Sequence, residues 1–267
     1  MLEYLANTYT NGIIRTVAAG STISVPFLVA GIVLTALVAY MLGSFNFALI
    51  LSKKMYDEDI REYGSKNAGT TNMMRTYGKK AALFTILGDI GKGIASVIVG
   101  SFLLGAAFGG GYVAGVFCVI GHVFPLFYGF KGGKGVATAA AVILVCDPLV
   151  FLVVLGVFIL SVVLTRFVSL GSCLAAALFP FLTYYHLLAT DNPLPGGAIA
   201  FQSAFVMAIL VICKHHANLK RLANGTESKF SFKKSKPEKG NAGENGDCHS
   251  YTAKKKKKNQ KFTAKKK

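Results

Sequence analysis

Long runs of apolar residues are the feature that most constrains how this chain can fold. Hydrophobic residues make up 53% of the 267 positions and charged residues only 15%, which is more apolar material than the core of one soluble domain needs. Most runs approach the ~20 residues that an α-helix requires to cross a bilayer. The sequence therefore predicts an all-α integral membrane protein with about seven transmembrane helices, and five is the alternative count. The runs cover residues 25–51, 81–106, 112–129, 136–146, 149–165, 167–189 and 197–213.

The distribution of basic residues predicts the orientation, because cytoplasmic connections of membrane proteins are rich in Lys and Arg. Residues 214–267 hold 17 of the 29 Lys and Arg but only 4 of the 12 Asp and Glu. We therefore expect the C-terminus in the cytoplasm, together with the loop over residues 52–80 and with Lys131, Lys134 and Arg166.

The run over residues 136–146 is short for a membrane crossing. It is separated from the run over 149–165 by Asp147-Pro148, which interrupts a helix. An out-and-back hairpin of these two runs keeps Arg166 on the cytoplasmic side, whereas one long helix would place it outside. We therefore expect seven segments with the N-terminus outside.

Composition divides the chain into two parts. Residues 1–225 contain all the apolar runs and form the expected membrane domain, whereas residues 226–267 are rich in Lys, Gly, Asn and Ser. Such a composition is typical of disorder. The tail can simply reinforce the orientation, or it can attract anionic membrane lipids at about 1 kcal/mol per basic residue. No specific nucleic acid is expected as a partner.

Four polar segments fall in the connections that are expected to face the cytoplasm. They read GSKNAGTTNMMR (residues 64–75), GFKGGKGVAT (129–138), RFVSLGS (166–172) and KHHANLKRLANGTE (214–227). The first combines glycines with hydroxyl and amide donors and ends in Arg75, whose planar guanidinium suits phosphate. The second surrounds Lys134 with glycines and precedes an apolar helix, whose N-terminus can face an anion. Neither segment has the spacing of a Walker A loop.

Two phosphate-binding segments on one face suggest an enzyme with two phosphorylated substrates. A transporter or channel for a phosphorylated metabolite is the alternative, but binding groups near the bilayer midplane and an internal repeat are typical of that class. We find no convincing repeat in this sequence. A third interpretation, a structural membrane protein whose loops are tight turns with lysines as topology anchors, leaves the coincidence of four polar segments unexplained.

The four segments resemble, in order and spacing, the motifs of the acyl-phosphate:glycerol-3-phosphate acyltransferases, the PlsY family of bacterial inner-membrane enzymes. GSKNAGTTNMMR is similar to the Gly-Ser-Gly-Asn-x-Gly-Ala-Thr-Asn-x-x-Arg motif of that family. GHVFPLFYGFKGGKGVAT (residues 121–138), RFVSLGS and HANLKRLANGTE (216–227) are similar to its later motifs. The resemblance extends from about Tyr40 to Glu227.

The resemblance implies transfer of a fatty acyl group from acyl phosphate to the sn-1 hydroxyl of glycerol 3-phosphate. The products would be lysophosphatidic acid and inorganic phosphate, in phospholipid biosynthesis at the bacterial cell membrane. No cofactor and no metal are expected. Because an acyl phosphate is already activated, the protein has to bring two repelling phosphates together and stabilise the departing one.

The resemblance also assigns roles to individual residues. The catalytic group is expected to comprise Ser65, Arg75, Lys134, His215 and Asn218. The substrate and phosphate contacts are expected from Asn67, Gly69, Thr70, Thr71, Asn72, Gly132, Gly133, Gly135, Ser169 and Ser172. Glu227 is expected to be structural.

Three positions depart from the family pattern: Lys66 replaces a glycine, Thr71 an alanine and Asn46 a common proline. Lys66 is the change expected to affect the first segment most, because it removes backbone freedom and adds a charge.

Ionisable residues inside the apolar runs need a separate interpretation, because charge in a membrane span is costly. Asp89 and Lys92 are three residues apart on one helix and are expected to pair with each other. His122 is expected to pack rather than to react. His186 and Asp191 match the His-x4-Asp pattern of an unrelated acyltransferase family, but the predicted orientation puts them on the outer face, so we interpret that match as chance.

Overall fold

The computed structural model describes residues 7–9, 11–13, 25–190 and 195–230. Within these ranges all regular secondary structure is helical, which confirms the all-α prediction. Asp191 and the tail from residue 231 onward lie outside the described residues, so the expected disorder of the tail stays a prediction. The helices are α1 (Val25–Ser44), α2 (Phe47–Leu51), α3 (Thr70–Tyr77), α4 (Lys79–Leu104), α5 (Gly110–Val123), α6 (Val136–Cys146), α7 (Pro148–Thr165), α8 (Val168–Ala189), α9 (Pro195–Lys214) and α10 (His216–Ala223).

Six helical stretches of the described part are long and apolar enough to cross a membrane. They are Pro26–Tyr56, Lys79–Leu104, Gly110–Tyr128, Pro148–Thr165, Val168–Ala189 and Gly196–Lys214. The seventh apolar helix, α6, has 11 residues and therefore rises about 16 Å, roughly half of a ~30 Å hydrocarbon core. The number of crossings and their direction stay predictions.

The predicted break between α6 and α7 is present and has a simple cause. Pro148 begins α7, where its missing N–H costs nothing. The Asp147 carboxylate caps the same helix, because its Oδ1 accepts a hydrogen bond from the Val150 N–H at 3.1 Å. The two helices therefore form separate elements of a hairpin.

The helices approach each other closely at glycines, as is usual for membrane helices. α1 and α4 both pack on α5, α6 packs on α4 and α5, and α8 lies between α7 and α9. A Cβ on Gly43 of α1 would lie 2.1 Å from the Cys118 carbonyl oxygen of α5. A Cβ on Gly121 of α5 would lie 2.4 Å from the Tyr40 carbonyl oxygen of α1. No larger residue fits at either position without moving the backbone.

A buried polar cluster joins α1, α4 and α5. The Lys92 ammonium lies 3.1 Å from Asp89 Oδ1, which confirms the predicted pair. It also donates to the carbonyl oxygens of Gly43 and Phe45 at 2.9 and 2.7 Å, and it lies 2.9 Å from His122 Nδ1. Because the charge is shared between a carboxylate and free carbonyls at the end of α1, its burial is compensated.

His186 lies at the opposite end of the bundle from the four polar segments. Its Nδ1 is 2.5 Å from Asp147 Oδ2. His186 follows Ser169 by 17 positions on α8, which corresponds to about 25 Å along the helix. It therefore joins α8 to the α6–α7 hairpin, a contact that the sequence did not suggest.

We expect Gly43→Ala to destabilise the bundle, because the added methyl group meets backbone atoms on α5. Gly91→Ala is the matched control, since nothing lies within 4 Å of its added Cβ. In thermal unfolding of the purified variants in detergent, the midpoint of Gly43→Ala should fall by on the order of 5 °C. That of Gly91→Ala should stay or rise, because alanine favours helix. Equal midpoints would contradict the close contact of α1 with α5.

Candidate functional site

A cavity of about 680 Å³ lies between α4, α6, α7, α8 and α9, beside the segment over residues 64–75. Polar groups from all four predicted segments line one part, which we call the polar end, and alanines and large apolar side chains line the apolar part. Thirteen of the fifteen predicted residues contribute to the lining: Ser65, Asn67, Gly69, Thr70, Thr71, Asn72, Arg75, Lys134, Gly135, Ser169, Ser172, His215 and Asn218. The structure thus brings the four segments together, and the roles of these residues stay predictions.

Asn72, at the first turn of α3, is buried and holds the preceding loop together. Its Oδ1 accepts a hydrogen bond from the Ser65 N–H at 2.9 Å. Its Nδ2 donates toward the carbonyl oxygens of Ile60, Tyr63 and Asn67 at 3.2, 3.0 and 3.1 Å. Both amide protons are used by these contacts. These contacts show that Asn72 positions the loop, and its expected phosphate contact stays a prediction.

Arg75 lies one helical turn after Thr71, on the side of α3 that faces the cavity. No described residue forms an ion pair or a side-chain hydrogen bond with its guanidinium. The five N–H donors of that group are therefore available to an anion in the polar end.

Lys66 adds a second cation from the same segment. Its backbone is left-handed, with φ 57°, a conformation that glycine adopts more easily than lysine does. Its side chain is exposed and borders the cavity. Asn46, the other notable departure, is buried, caps α2 at the Leu49 N–H and donates to the Ala68 carbonyl oxygen at 3.3 Å.

Gly132 and Gly133 are the two predicted residues that the structure does not place in the cavity lining, and their expected phosphate role stays a prediction. Their N–H groups donate to the carbonyl oxygens of Val123 and His122, each at 3.1 Å. A Cβ on Gly132 would lie 2.0 Å from the His122 carbonyl oxygen. The two glycines instead complete the end of α5, whose last carbonyl groups have no partner within the helix.

Gly135 ends this loop and begins α6. Its φ of +79° is in the left-handed region, where a side chain is strained. Val136 and Ala137, the first residues of the helix, line the cavity. The N-terminus of α6, with its N–H groups that have no carbonyl partner inside the helix, therefore faces the polar end.

Lys134 is the central cation of the polar end. Its ammonium lies 2.5 Å from Asn218 Oδ1 on α10. Desolvation lowers the pKa of Lys134 to about 8, because a partly buried ammonium loses hydration. A bound anion would favour the charged form of Lys134, so this position suits an anionic ligand.

Glu227 organises the groups around Lys134. Its Oε1 accepts hydrogen bonds from Ser169 Oγ at 2.8 Å and from Asn218 Nδ2 at 2.6 Å, and its Oε2 accepts one from Arg221 Nε at 2.7 Å. Burial opposes ionisation of this carboxyl, but the three hydrogen bonds outweigh it and hold its pKa below the ordinary value. The expected structural role of Glu227 agrees with these contacts.

His215 is buried at the end of α9. Its Nδ1 lies 2.7 Å from the Val211 carbonyl oxygen, so Nδ1 carries the proton and Nε2 is an acceptor. Burial, with a further effect of the nearby Lys134 charge, lowers the pKa of His215 to about 4. At neutral pH, without an anion, the imidazole is therefore uncharged.

The cavity contains residues that the sequence did not single out for it. Arg221 borders the polar end, and so do Asp89 and His122 of the buried cluster. Arg221 follows Asn218 by three positions on α10, so the two share a helix face. This spacing could have indicated from the sequence that Arg221 lies near the site.

The fold and the site define a class of protein: a helical membrane protein in which one cavity combines a cationic polar end with an apolar part. Comparison with known proteins identifies the family. A sequence model of the glycerol-3-phosphate acyltransferase family matches residues 33–225, and the chain belongs to this family. It is therefore an enzyme of the acyltransferase class.

Two relatives and two solved structures illustrate the similarity. The chain is 40% identical over 201 residues to the glycerol-3-phosphate acyltransferase of Thermoanaerobacter pseudethanolicus, covering 75% of this chain and 96% of that protein. It is 41% identical over 206 residues to that of Clostridioides difficile, covering 76% and 97%.

The solved structures are crystal structures of PlsY, an integral membrane glycerol 3-phosphate acyltransferase. The glycerol 3-phosphate form matches with a TM-score of 0.67 and 32% identity, and the lysophosphatidic acid form with 0.65 and 30%. Each alignment covers 75% of this chain and 96% of PlsY. The prediction of an integral membrane protein of the PlsY family is confirmed, with a multi-pass membrane location.

We expect Asn72→Ala to destabilise the loop before α3, because it leaves buried carbonyl groups without their donor, at about 1–3 kcal/mol. Asn67→Ala is the control, since Asn67 also lines the cavity but has no comparable set of side-chain contacts. Thermal unfolding in detergent and limited proteolysis of the loop measure the difference. If Asn72→Ala has the same unfolding midpoint and the same resistance to protease as the unchanged protein, the positioning role is wrong.

Proposed function

We propose that the protein transfers a fatty acyl group from acyl phosphate to the sn-1 hydroxyl of glycerol 3-phosphate, releasing inorganic phosphate. One observation carries the proposal: a single cavity joins a cationic end rich in amide and hydroxyl donors to a long apolar part. An acyl phosphate has the same two-part chemistry, and so does the product, lysophosphatidic acid. The family and the glycerol 3-phosphate and lysophosphatidic acid forms of PlsY support glycerol 3-phosphate as the acceptor.

The reaction needs two negatively charged substrates to meet. Arg75 and Lys134, with the N-terminus of α6, offer positive charge and N–H donors to the polar end. Such groups reduce the repulsion between phosphates and stabilise the phosphate that departs. Arg221 and Lys66 add charge at the border of the site.

Acyl transfer can then proceed directly between the substrates. The glycerol hydroxyl oxygen attacks the carbonyl carbon, the bond from that carbon to the phosphate oxygen breaks, and the hydroxyl proton passes to phosphate. Two of the three candidate serines have their hydroxyl groups engaged elsewhere: Ser169 donates to Glu227 and Ser172 donates to the Val168 carbonyl oxygen. The site therefore supports binding and positioning rather than a covalent acyl-enzyme.

We further propose a location in the bacterial cell membrane, with the active site and the C-terminus in the cytoplasm. The basic loops around the polar end support this orientation. Glycerol 3-phosphate is water-soluble and the acyl chain is not, so a polar end at the membrane surface lets each substrate arrive from its own phase. Membrane lipids are the expected partners of the Lys-rich tail.

The decisive experiment offers purified protein glycerol 3-phosphate with equal amounts of acyl phosphate, acyl-coenzyme A and acyl carrier protein thioester. We expect lysophosphatidic acid from acyl phosphate alone, with inorganic phosphate released in equal amount. Intact-mass spectrometry after incubation with acyl phosphate alone should find unmodified protein. Product from thioesters only would refute the proposed donor, and a chemically competent acyl adduct on Ser65 would refute direct transfer.

We expect kcat/KM to fall as the pH rises through about 8, because Lys134 loses its proton there. The substrate phosphates cannot cause this fall, since their second pKa is about 6. Lys134→Arg is the test variant, because a guanidinium stays charged over this range. Its kcat/KM should be flat between pH 7 and 9 even if lower overall. The same fall in both proteins would exclude Lys134 as its source.

A further inference from the structure

The apolar part of the cavity changes in width along its length. The residues that line it on α8 follow one helical stripe, from Ser169 and Ser172 through Ala175 and Ala176 to Phe179. On α6 the stripe passes from Ala139 and Ala140 to Ile143, and on α9 it passes from Val211 and Ala208 to Met207. On α6 and α8, alanines therefore come before a large side chain that lies deepest, and on α9 the deepest lining residue is Met207.

The three large residues lie at similar depth. Phe179 follows Ser169 by ten positions, which is about 15 Å along a helix. Ile143 follows Gly135 by eight positions and Met207 precedes His215 by eight, each about 12 Å. Three helices that begin or end at the polar end thus carry their large residues roughly equally far into the membrane.

Phe179 and Met207 lie on α8 and α9, two helices that also contribute residues to a second cavity. The two residues are 2% and 1% exposed and belong to the packed core. One turn beyond Phe179, Thr183 lines a cavity of about 200 Å³ at the far end of the bundle, together with Ala200 and Tyr112. Only one layer of side chains stands between the two spaces along α8.

We propose that Phe179, with Met207 and Ile143, forms the floor of the acyl-chain site and limits the length of the chain that is transferred. This inference rests on the proposed function, because it assigns the apolar part to the acyl group. An aromatic ring at the closed end meets the terminal methyl of a chain that fills the space. A longer chain must either displace the ring or leave its carbonyl outside the polar end, and both lower the rate.

The first test removes the floor. Phe179→Ala is compared with Phe181→Ala, which changes the same residue type on the same helix at a position that is 70% exposed. For a series of saturated acyl phosphates, the ratio of kcat/KM for long over short donors should rise on the order of tenfold in Phe179→Ala. The ratio should not change in Phe181→Ala. An unchanged ratio in folded Phe179→Ala would overturn the proposal.

The second test raises the floor. Ala176→Leu places a larger side chain one turn closer to the polar end, so the same ratio should fall on the order of tenfold. Ala176→Leu adds only apolar atoms and does not leave an empty space in the core, as Phe179→Ala does. It therefore remains informative if Phe179→Ala does not fold. Equal losses for all chain lengths would overturn the proposal.

A binding measurement separates this inference from the proposed donor. Lysophosphatidic acids of graded chain length are added to each protein, and the rise in unfolding midpoint is recorded for each length. If the unchanged protein makes no product from acyl phosphate, the proposed donor is wrong, but the length of best stabilisation should still increase in Phe179→Ala and decrease in Ala176→Leu. If that length is the same in all variants, the floor is wrong whatever the donor.

Discussion

Buried non-helical backbone must find its hydrogen-bond partners within the protein, and the site depends on how two loops satisfy that constraint. The loop before α3 bonds to the side chain of Asn72, and the loop before α6 bonds through Gly132 and Gly133 to the end of α5. Arg61 joins the loops, donating to the carbonyl oxygens of Tyr128 and Lys131 at 2.9 and 3.0 Å. The cationic groups are thus held in place before a substrate arrives, which lowers the reorganisation that catalysis requires.

The charges of the polar end are arranged around one carboxylate. Glu227 accepts hydrogen bonds from three side chains, one of which is Asn218. Asn218 in turn accepts a hydrogen bond from the Lys134 ammonium, which lines the cavity. Without Glu227, Asn218 and Arg221 would lose the acceptor that orients them. Its negative charge also compensates part of the positive charge while the site is empty, so the cations need not be hydrated there. Arg75 has no such partner among the described residues, which leaves its guanidinium available for the proposed contact with phosphate.

The sequence predicted what depends on composition and order, but it could not predict which hydrogen bonds form within the loops. The apolar runs and the Asp147-Pro148 break correspond to helices and to a helix boundary, since length and proline chemistry are local properties. Asn72, Gly132 and Gly133 occur in segments that do line the cavity, yet their donors bond to the protein itself. An amide or a glycine has the same letter whether it binds a ligand or a carbonyl group, and only the fold determines which carbonyl is near.

The position at which α6 begins bears on how the proposed donor would bind. A helix that begins at the cavity presents unpaired N–H groups at its first turn and side chains after it. In α6 those side chains are Ala139, Ala140 and Ile143, which line the apolar part. One helix therefore offers N–H donors to a phosphate and then an apolar wall to the chain attached to it. In the proposed donor, the carbonyl carbon between phosphate and chain would then lie near the first turn of α6, beside Lys134, whose charge would also stabilise the phosphate of the acceptor.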